Sequence, residues 1–363
     1  MPHRVRLGEE PAGAAAEAFA GWEDYESVLA SASAEKPEYE PRGDDMLYSS
    51  GTTGRPKGIM PGLPDIPIES ENVPLIRLFT AFYGFDQDSV YLSPAPLYHS
   101  APLRFVMETQ SQGGTVVVMP KFEPEYSLQL IEKYRATHSQ WVPTMFIRML
   151  KLPEEVRAKY DLSSLKVAIH AAAPCPPEVK RAMIEWWGPV IYEYYAATEA
   201  VGVTLINSQE ALERPGSVGR DGVLGTVHIC GPDGEELPTG DMGYIDEDRY
   251  LYLVDRSSSL IITGGVNIYP QEIENELAVH EDIADVAVVG RAHDELGKIP
   301  VAFVMLGEGV SEEGMDERLT QWLGERIAKF KIPREFHFID ELPRTPTGKL
   351  VKRHLPDLEP VTG

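Results

Sequence analysis

Short apolar runs alternate with helical patterns through the first half of this 363-residue chain. The runs suited to strands are Val90–Ser93, Thr115–Met119, Ser139–Val142 and Val167–His170. Helical patterns cover Leu128–Arg135, Thr144–Leu150 and Pro177–Trp187. Strands that alternate with helices pair in parallel, because each helix returns the chain to the same edge of the sheet. The sequence therefore predicts an α/β fold with a mostly parallel sheet.

The pattern changes after Ser217. Short antiparallel strands with Asp-Gly turns are predicted at Val223–Cys230, Gly243–Ile245 and Tyr250–Val254. A small α+β region follows, with helices at Pro270–His280 and Met315–Phe330 and strands at Asp285–Val289 and Pro300–Leu306. The chain is too long for one ordinary core. We therefore expect a linker-like segment at residues 1–43 with one short helix in Trp22–Ser33, a large domain at 44–255 and a C-terminal domain at 256–363.

The composition argues against several classes of partner. Asp and Glu outnumber Lys and Arg by 57 to 33, which gives a formal charge of −24. Such a chain repels nucleic acids and anionic membranes. The two cysteines, Cys175 and Cys230, form no disulfide or zinc pattern. We see neither a signal peptide nor a run long enough to span a bilayer, so we expect a cytoplasmic protein without integral membrane association.

The most specific motif is the loop at residues 49–58, Ser-Ser-Gly-Thr-Thr-Gly-Arg-Pro-Lys-Gly. Its small residues let the backbone approach a phosphate, and its hydroxyl groups and lysine supply donors. A Gly-Lys-Ser/Thr sequence is missing, so this is not a Walker A loop. The candidate phosphate ligands are Ser50, Gly51, Thr52, Thr53, Gly54 and Lys57.

The loop resembles the signature of the acyl-adenylate-forming (AMP-binding) superfamily, and further matches follow in that family's order from Asp45 to Arg353. The likeness is greatest to bacterial fatty-acyl-CoA synthetases. It implies an incomplete large domain, with a mostly parallel sheet plus a small β-region, followed by a small mobile α+β C-terminal domain. It also implies that ATP, Mg²⁺ and CoA are used with a carboxylic acid.

The resemblance assigns the nucleotide ligands residue by residue. Ala172, Ala173 and Pro174 match the turn against which adenine lies, and Tyr195 matches the aromatic residue near that ring. Thr198 would donate to the α-phosphate, and Glu199 would hold Mg²⁺ through a carboxylate oxygen, the donor that this cation prefers. Asp241, in Thr-Gly-Asp, and Arg256 match the residues that contact the ribose.

The remaining matches concern the acyl and thiol groups. His99, in Pro96–Ser100, would stand at the mouth of the acyl pocket, and Tyr98, Trp141 and Phe146 suggest an aromatic lining. Gly264, Gly265, Asn267 and Tyr269 match the loop that completes the CoA channel. Lys349, after Pro-Arg-Thr-Pro-Thr-Gly, matches the catalytic lysine that would bridge the carboxylate and the α-phosphate.

Three departures from the family pattern leave the activity open. Only 48 residues precede Ser49 where the family has a subdomain, and its loss would expose an apolar face that favours homo-oligomers or aggregation. Segments near residue 240 look fused, which displaces Asp241, and Ser258 and Ser259 stand where the hinge pair is expected. The main hypothesis is an acyl-CoA synthetase. The alternatives are an adenylation domain that loads a carrier-protein thiol and an inactive adenylate-binding remnant.

Overall fold

The computed structural model describes residues 5–6, 21–49, 57–60, 62–63, 65–70, 77–196, 202–221, 225–229, 241–256, 259–263, 266–344 and 350–356. The chain divides into two compact units. One comprises Met1–Asp44 and Pro61–Ser70, and the other comprises Asp45–Met60 and Glu71–Gly363.

The smaller unit has little regular structure. Its strands β1 (Val5–Arg6) and β2 (Glu23–Asp24) pair in parallel, and helix α1 (Tyr25–Ser31) follows. The Asp24 carboxylate caps α1 by accepting from the Ser27 N–H at 3.0 Å. This cap fixes the start of the helix, and the extended backbone of Ala32 ends it. The helix is therefore shorter at both ends than the predicted range.

A nine-stranded sheet dominates the larger unit. A separate hairpin of β3 (Leu47–Ser49) and β4 (Lys57–Ile59) precedes it. The sheet strands are β5 (Val90–Ser93), β6 (Thr115–Val118), β7 (His138–Trp141), β8 (Val167–His170), β9 (Ile191–Ala196), β10 (Val203–Asn207), β11 (Ser217–Arg220), β12 (Asp241–Ile245) and β13 (Tyr250–Arg256). Their order is β12-β13-β11-β10-β9-β8-β7-β5-β6. Pairing is parallel from β6 to β9 and antiparallel from β9 to β12.

Helices connect the strands. They are α2 (Ser100–Ser111), α3 (Pro124–Tyr134), α4 (Pro143–Leu150), α5 (Glu154–Arg157), α6 (Pro177–Trp187) and α7 (Ser208–Glu213), and a π-helical turn spans Phe79–Tyr83. Proline is the first residue of α3, α4 and α6, where its missing N–H costs no hydrogen bond. Helix α2 was not predicted, and α3 begins before its predicted start because the Glu123 carboxylate caps it.

The two faces of the sheet carry different cores. Successive strand residues point to opposite faces, so each strand contributes to both. One core packs beneath helices α3, α4 and α6 and is built around Leu128, Trp141, Phe146 and Met183. The other, against α2 and the π-helical turn, is largely aromatic: Phe79, Tyr83, Phe85, Tyr91 and Phe105.

The C-terminal region forms a second sheet. Its strands are β14 (Ile261–Thr263), β15 (Val266–Ile268), β16 (Ile283–His293), β17 (Gly297–Leu306) and β18 (Glu335–Phe338). Helices α8 (Pro270–Ala278) and α9 (Met315–Gly324) bury Ile273, Leu277, Leu319 and Leu323 against it. Short 3₁₀ turns lie at Lys329–Lys331 and Lys352–His354.

The predicted class is confirmed: an α/β large sheet region is followed by a smaller C-terminal α+β region. Two details differ. The antiparallel strands continue the large sheet instead of forming a region of their own, and residues 225–229 of the predicted strand Val223–Cys230 are not in a strand. Helix α9 ends at Gly324, before the predicted Phe330.

One polar contact joins the large sheet region to the C-terminal sheet region. The Lys151 ammonium, just after α4, donates to the backbone carbonyl of Ile283 and lies 3.5 Å from that of His280. Burial lowers the pKa of Lys151. Within the described ranges, no helix has the length and apolar character needed to cross a membrane.

Candidate nucleotide-binding site

Two neighbouring strand ends bring the predicted adenine residues together. Strands β8 and β9 are parallel with His170 opposite Glu193, so the residues that follow each strand meet at one sheet edge. After β8, Ala172 has a φ of 74°, and Ala172, Ala173 and Pro174 are exposed. A tight turn of small exposed residues leaves backbone surface open for a planar ring. The carboxyl edge of a parallel sheet is also where such ligands bind.

The predicted ribose residue Asp241 meets Tyr195. The Tyr195 hydroxyl donates to Asp241 Oδ2 at 2.8 Å, although β10, β11 and β13 lie between their strands in the sheet. Four strand spacings of a flat sheet would separate them by roughly 19 Å. The antiparallel half therefore curves back over the edge. Asp241 also faces Arg256 in the β12–β13 register.

A buried ionic network supports this edge from below, and sequence reasoning missed it. The Lys180 ammonium of α6 pairs with the Glu193 carboxylate of β9 and donates to the Ser217 carbonyl of β11 at 3.3 Å. The network thus ties one helix to two strands. Its sequence signal was a charged residue, Glu193, within an otherwise apolar buried strand.

His170 belongs to the same network. Its Nε2 lies 3.8 Å from Glu193 Oε2, and both ring nitrogens lack hydrogen-bond partners. Burial, together with the Lys180 charge, holds the pKa of His170 well below its usual value. Burial raises the pKa of Glu193 and raises that of the nearby Cys175 thiol to about 12. The edge therefore rests on one buried ion pair beside a neutral imidazole and an unreactive thiol.

His99 lies on the opposite, aromatic face of the sheet. It occupies the N-cap position of α2 without making a side-chain cap, and its ring lies 4.5 Å from the ring of Tyr98 at an interplanar angle of 42°. Its buried Nε2 has no hydrogen-bond partner, and burial lowers its pKa. The unpaired ring nitrogen is closed to solvent in this structure, so a substrate contact at His99 would need Nε2 to become accessible.

The predicted aromatic lining is not assembled around His99. Trp141 packs with Phe146 and Trp187 in the core beneath α4 and α6, and both Trp141 and Phe146 are fully buried. Strand alternation sends Trp141 to the face opposite His138, which contacts Phe85 in the aromatic core. Tyr98 alone of the three stays beside His99.

Ten predicted ligands lie outside the described residues: Ser50, Gly51, Thr52, Thr53, Gly54, Thr198, Glu199, Gly264, Gly265 and Lys349. The backbones of Lys57 and Arg256 are described within β4 and β13. The described flanks still constrain the phosphate loop, because Ser49 pairs with Lys57 in an antiparallel hairpin. This pairing brings the two ends of the predicted phosphate loop together.

The segment that carries Lys349 is closed and anchored in a similar way. Arg344 and Leu350 form an antiparallel bridge, and the Val351 N–H donates to the Pro343 carbonyl at 2.8 Å. Arg344 makes two hydrogen bonds of 2.5 Å to the Asp285 carboxylate of β16. The Lys352 ammonium lies 2.7 Å from Glu274 of α8. We call residues 343–352 the lysine hairpin.

The two ends of the predicted CoA loop are also paired with each other. Thr263 pairs with Val266, so β14 and β15 hold residues 264–265 between them. Asn267 is exposed on β15, and Tyr269 is half-buried at the N-cap of α8. The flanks of this loop and of the lysine hairpin both belong to the C-terminal sheet region, so a movement of that region would move both.

The described residues contain no cluster of three or more His, Cys, Asp or Glu side chains suited to a metal ion. The predicted Mg²⁺ ligand, Glu199, is outside them. A single carboxylate fits Mg²⁺ chemistry, because this cation takes most of its oxygen ligands from water and substrate phosphates.

Comparison with known proteins places these features in a family. The profile of the AMP-binding enzyme family matches residues 6–245, and that of the AMP-binding enzyme C-terminal domain matches residues 272–349. The chain belongs to the AMP-binding enzyme family, within the acyl-adenylate-forming superfamily that its motifs resemble.

Individual relatives agree with this assignment. A long-chain-fatty-acid–CoA ligase of Bacillus subtilis is 32% identical over 361 residues, which cover 88% of this chain and 62% of that protein. A feruloyl-CoA synthase of Amycolatopsis is 32% identical over 344 residues, covering 85% and 68%. The structure of o-succinylbenzoate CoA synthetase from Bacillus subtilis with its acyl-adenylate superposes with a TM-score of 0.73 at 27% identity, covering 98% and 78%. The chain thus spans less than two thirds of the length of the Bacillus fatty-acid ligase.

Proposed function

We propose that this chain is an AMP-forming acyl-CoA synthetase, which adenylates a carboxylic acid with ATP and transfers the acyl group to CoA. The observation that carries the proposal is the hydrogen bond between Tyr195 and Asp241. It lies at the sheet edge that also carries the small-residue turn. It unites two residues that the motifs assign to one nucleoside although they are 46 positions apart.

In this proposal the sheet edge holds the nucleoside part of ATP. The exposed Ala172–Pro174 turn offers a flat surface to adenine, and the Asp241 carboxylate accepts from ribose hydroxyls. The 49–58 loop donates to the phosphates through backbone N–H and hydroxyl groups. Mg²⁺, held by Glu199 and by phosphate oxygens, would neutralise phosphate charge.

Lys349 would act on the reacting groups. A carboxylate and a triphosphate repel each other, and an ammonium between the attacking oxygen and the α-phosphate lowers that repulsion. Attack forms the acyl-adenylate and releases pyrophosphate. The CoA thiol then attacks the acyl carbon and AMP leaves, with the 264–269 turn guiding CoA. Since both elements belong to the C-terminal sheet region, movement of that region exchanges them.

We propose a medium- or long-chain fatty acid as the acyl substrate. The support is the motif spelling and the likeness to a ligase that is named for long-chain fatty acids. The similarity to a feruloyl-CoA synthase makes an aryl acid the competing substrate class.

The deciding experiment is carboxylate-dependent ATP–pyrophosphate exchange by the purified chain, with acyl-CoA formation measured in parallel. The panel comprises fatty acids of increasing length, ferulate and o-succinylbenzoate. Exchange together with acyl-CoA formation is expected with fatty acids, and Lys349→Ala should lower exchange by at least about 100-fold, within the range of electrostatic catalysis. Lys329→Gln, which removes an exposed lysine of the same region outside the lysine hairpin, is the matched control. Wild-type exchange in Lys349→Ala would sink the assignment.

The same assay separates the rival functions. Exchange without acyl-CoA, recovered on adding a carrier protein with its phosphopantetheine arm, would identify an adenylation domain. AMP binding without exchange for any carboxylate would identify an inactive remnant.

A further inference from the structure

We infer that Arg104 is a positioning residue for ATP: its ion pair with Asp45 holds the flank of the predicted phosphate loop against helix α2. The inference rests on the proposed function, since it concerns the ATP site of that reaction. It adds a residue that none of the sequence motifs assigned. Arg104 acts through the chain that carries the loop and not by contact with the reacting atoms.

The contact between the two side chains is short and partly sheltered from water. The Arg104 Nε–H donates to Asp45 Oδ2 at 3.0 Å. Asp45 keeps 10% of its side-chain surface exposed, and Arg104 keeps 27%. Partly buried ion pairs are screened by salt much less than pairs on an open surface. This pair is therefore suited to hold a fixed geometry.

Asp45 lies just before the phosphate loop in the chain. Strand β3 begins two residues later at Leu47, whose side chain is buried, and ends at Ser49, the first residue of the loop motif. Even a fully extended chain places Ser49 at most about 14 Å from Asp45. Since Ser49 is also paired with Lys57 on β4, a displacement of Asp45 would reach both ends of the loop.

The hairpin of β3 and β4 depends on its surroundings for its position. Among the described strands, these two pair only with each other, and neither joins the nine-stranded sheet. A two-stranded hairpin is at best marginally stable by itself in water. Contacts of its flanks must therefore place it relative to the large sheet, and the pair of Asp45 with Arg104 is such a contact.

Helix α2 gives this contact a fixed support. Phe105, the residue after Arg104, is buried in the aromatic core with its ring 4.5 Å from that of Phe79. The same helix has His99 as its N-cap residue. The ion pair therefore joins the flank of the phosphate loop to the element that carries the predicted acyl-pocket histidine.

A direct electrostatic role for Arg104 makes a different prediction. If Arg104 only attracted phosphate, removal of the Asp45 carboxylate would strengthen ATP binding, because that carboxylate repels the same anion. If the pair sets the position of the loop, removal of either partner releases the flank and weakens ATP binding. The sign of the effect in Asp45→Asn therefore separates the two roles.

The test compares the affinities for ATP with Mg²⁺ and for AMP by isothermal titration calorimetry. Arg104→Gln and Asp45→Asn should each weaken ATP binding by at least fivefold, which corresponds to about 1 kcal/mol. The double variant should lose no more than either single variant, because the two residues act through one interaction. AMP lacks the β- and γ-phosphates, so its affinity should change by less than about twofold, well below 1 kcal/mol. Arg104→Lys keeps the charge and should retain part of the ATP affinity.

The matched control is Arg291→Gln. It breaks an ion pair with Glu335 whose side chains have similar exposure, 16% and 29%, and it should leave both affinities unchanged. Thermal denaturation checks that each variant is folded. Asp45→Asn preserves the shape of the side chain, so it decides the question if Arg104→Gln does not fold.

Four results would overturn the inference. They are unchanged ATP affinity in the single variants, tighter ATP binding by Asp45→Asn, equal losses of ATP and AMP affinity, and additive losses in the double variant. Acyl-CoA formation is measured separately. Its absence in a wild type that shows the ATP-selective losses would overturn the proposed synthetase but not the positioning role. A wild type that binds no ATP would overturn both.

Discussion

The nucleotide edge and the lysine hairpin are both held by ion pairs, but in different surroundings. Beneath the edge, Lys180 and Glu193 have almost no exposed side-chain surface. At the hairpin, Arg344 and Asp285 keep 22% and 20% of theirs. A buried charge that loses its partner is far more costly than one that water can reach. The first pair therefore supports the fold, and the second ties the flank of the segment that carries Lys349 to β16.

The largest expected effect comes from Lys180→Met. It leaves Glu193 buried without a counter-charge, and we expect the free energy of unfolding to fall by about 3–5 kcal/mol. Chemical denaturation at pH 7.5 measures this loss. The double variant Lys180→Met/Glu193→Gln should recover at least half of it, because no charge remains buried. A free energy of unfolding for Lys180→Met within about 1 kcal/mol of wild type would contradict this prediction, because that is the usual range for surface pairs. The two ion pairs would then not differ in their importance for the fold.

The pH dependence of that loss sharpens the comparison. Burial raises the pKa of Glu193 above its usual 4.5, so the folded state holds the proton more tightly than the unfolded state. The stability from this group is complete below pH 4.5 and is lost as pH rises through the folded pKa. Without Lys180 the pKa rises further. The deficit of Lys180→Met should therefore grow from pH 4.5 to pH 8, by up to about 1.4 kcal/mol per unit.

Denaturation of both proteins well above pH 6.5 isolates Glu193, because His170, whose pKa is lowered partly by the Lys180 charge that the variant lacks, differs between the two proteins at lower pH. His138, His170 and His280 have lowered pKa values, so both proteins should lose stability below pH 6.5. A deficit that is constant across the range would show that Glu193 does not carry the charge.

A smaller stability loss is expected at the hairpin. Arg344→Gln removes two hydrogen bonds to Asp285, and we expect a loss of about 1–2 kcal/mol. If the proposed function holds, displacement of Lys349 should lower the exchange rate about 10-fold, because small misplacements of a reacting group are costly. The control is Arg318→Gln, which breaks a half-exposed pair with Asp282 in the same region. It should lower stability slightly and leave the exchange rate unchanged. Equal exchange rates in both variants would contradict the positioning role.

The smallest effect is expected at the turn above the buried pair. Ala172 has a φ of 74°, which is unfavourable for a residue with a Cβ, so Ala172→Gly relieves strain. The added freedom of glycine in the unfolded chain opposes this gain. We expect a net change within about 1 kcal/mol by thermal denaturation. A larger loss would mean that the Ala172 methyl group packs against the turn.

The sequence predicted the strands and helices of the large sheet well. Buried strands appear as short apolar runs, and amphipathic helices carry apolar residues at helical spacing, so the two are easily told apart. The sequence did not predict helix α2, whose polar termini and mixed interior weaken the helical pattern. Tyr195 and Asp241 were each predicted as nucleotide ligands from a different motif. Their contact could not be predicted, because it depends on the curvature of strands that lie between them.

Pairs that span long distances were missed for the same reason. From the sequence, Lys180 is expected to be a solvated charge on a helix. Only the packing of α6 against β9 shows that it reaches Glu193. The lining of the acyl site was misjudged because Trp141 and Phe146 were grouped by type. The strand alternation around Trp141 already indicated that it faces away from His138.

The contact of Lys151 with the carbonyl of Ile283 gives the two regions unequal control over their association. A side chain can be replaced, retained or acetylated, but a backbone carbonyl is the same whatever residue carries it. Variation on the C-terminal side therefore leaves this acceptor intact, and the large sheet region alone can strengthen or abolish the bond. A change in the strength of this one contact is therefore made at residue 151 and not at residue 283.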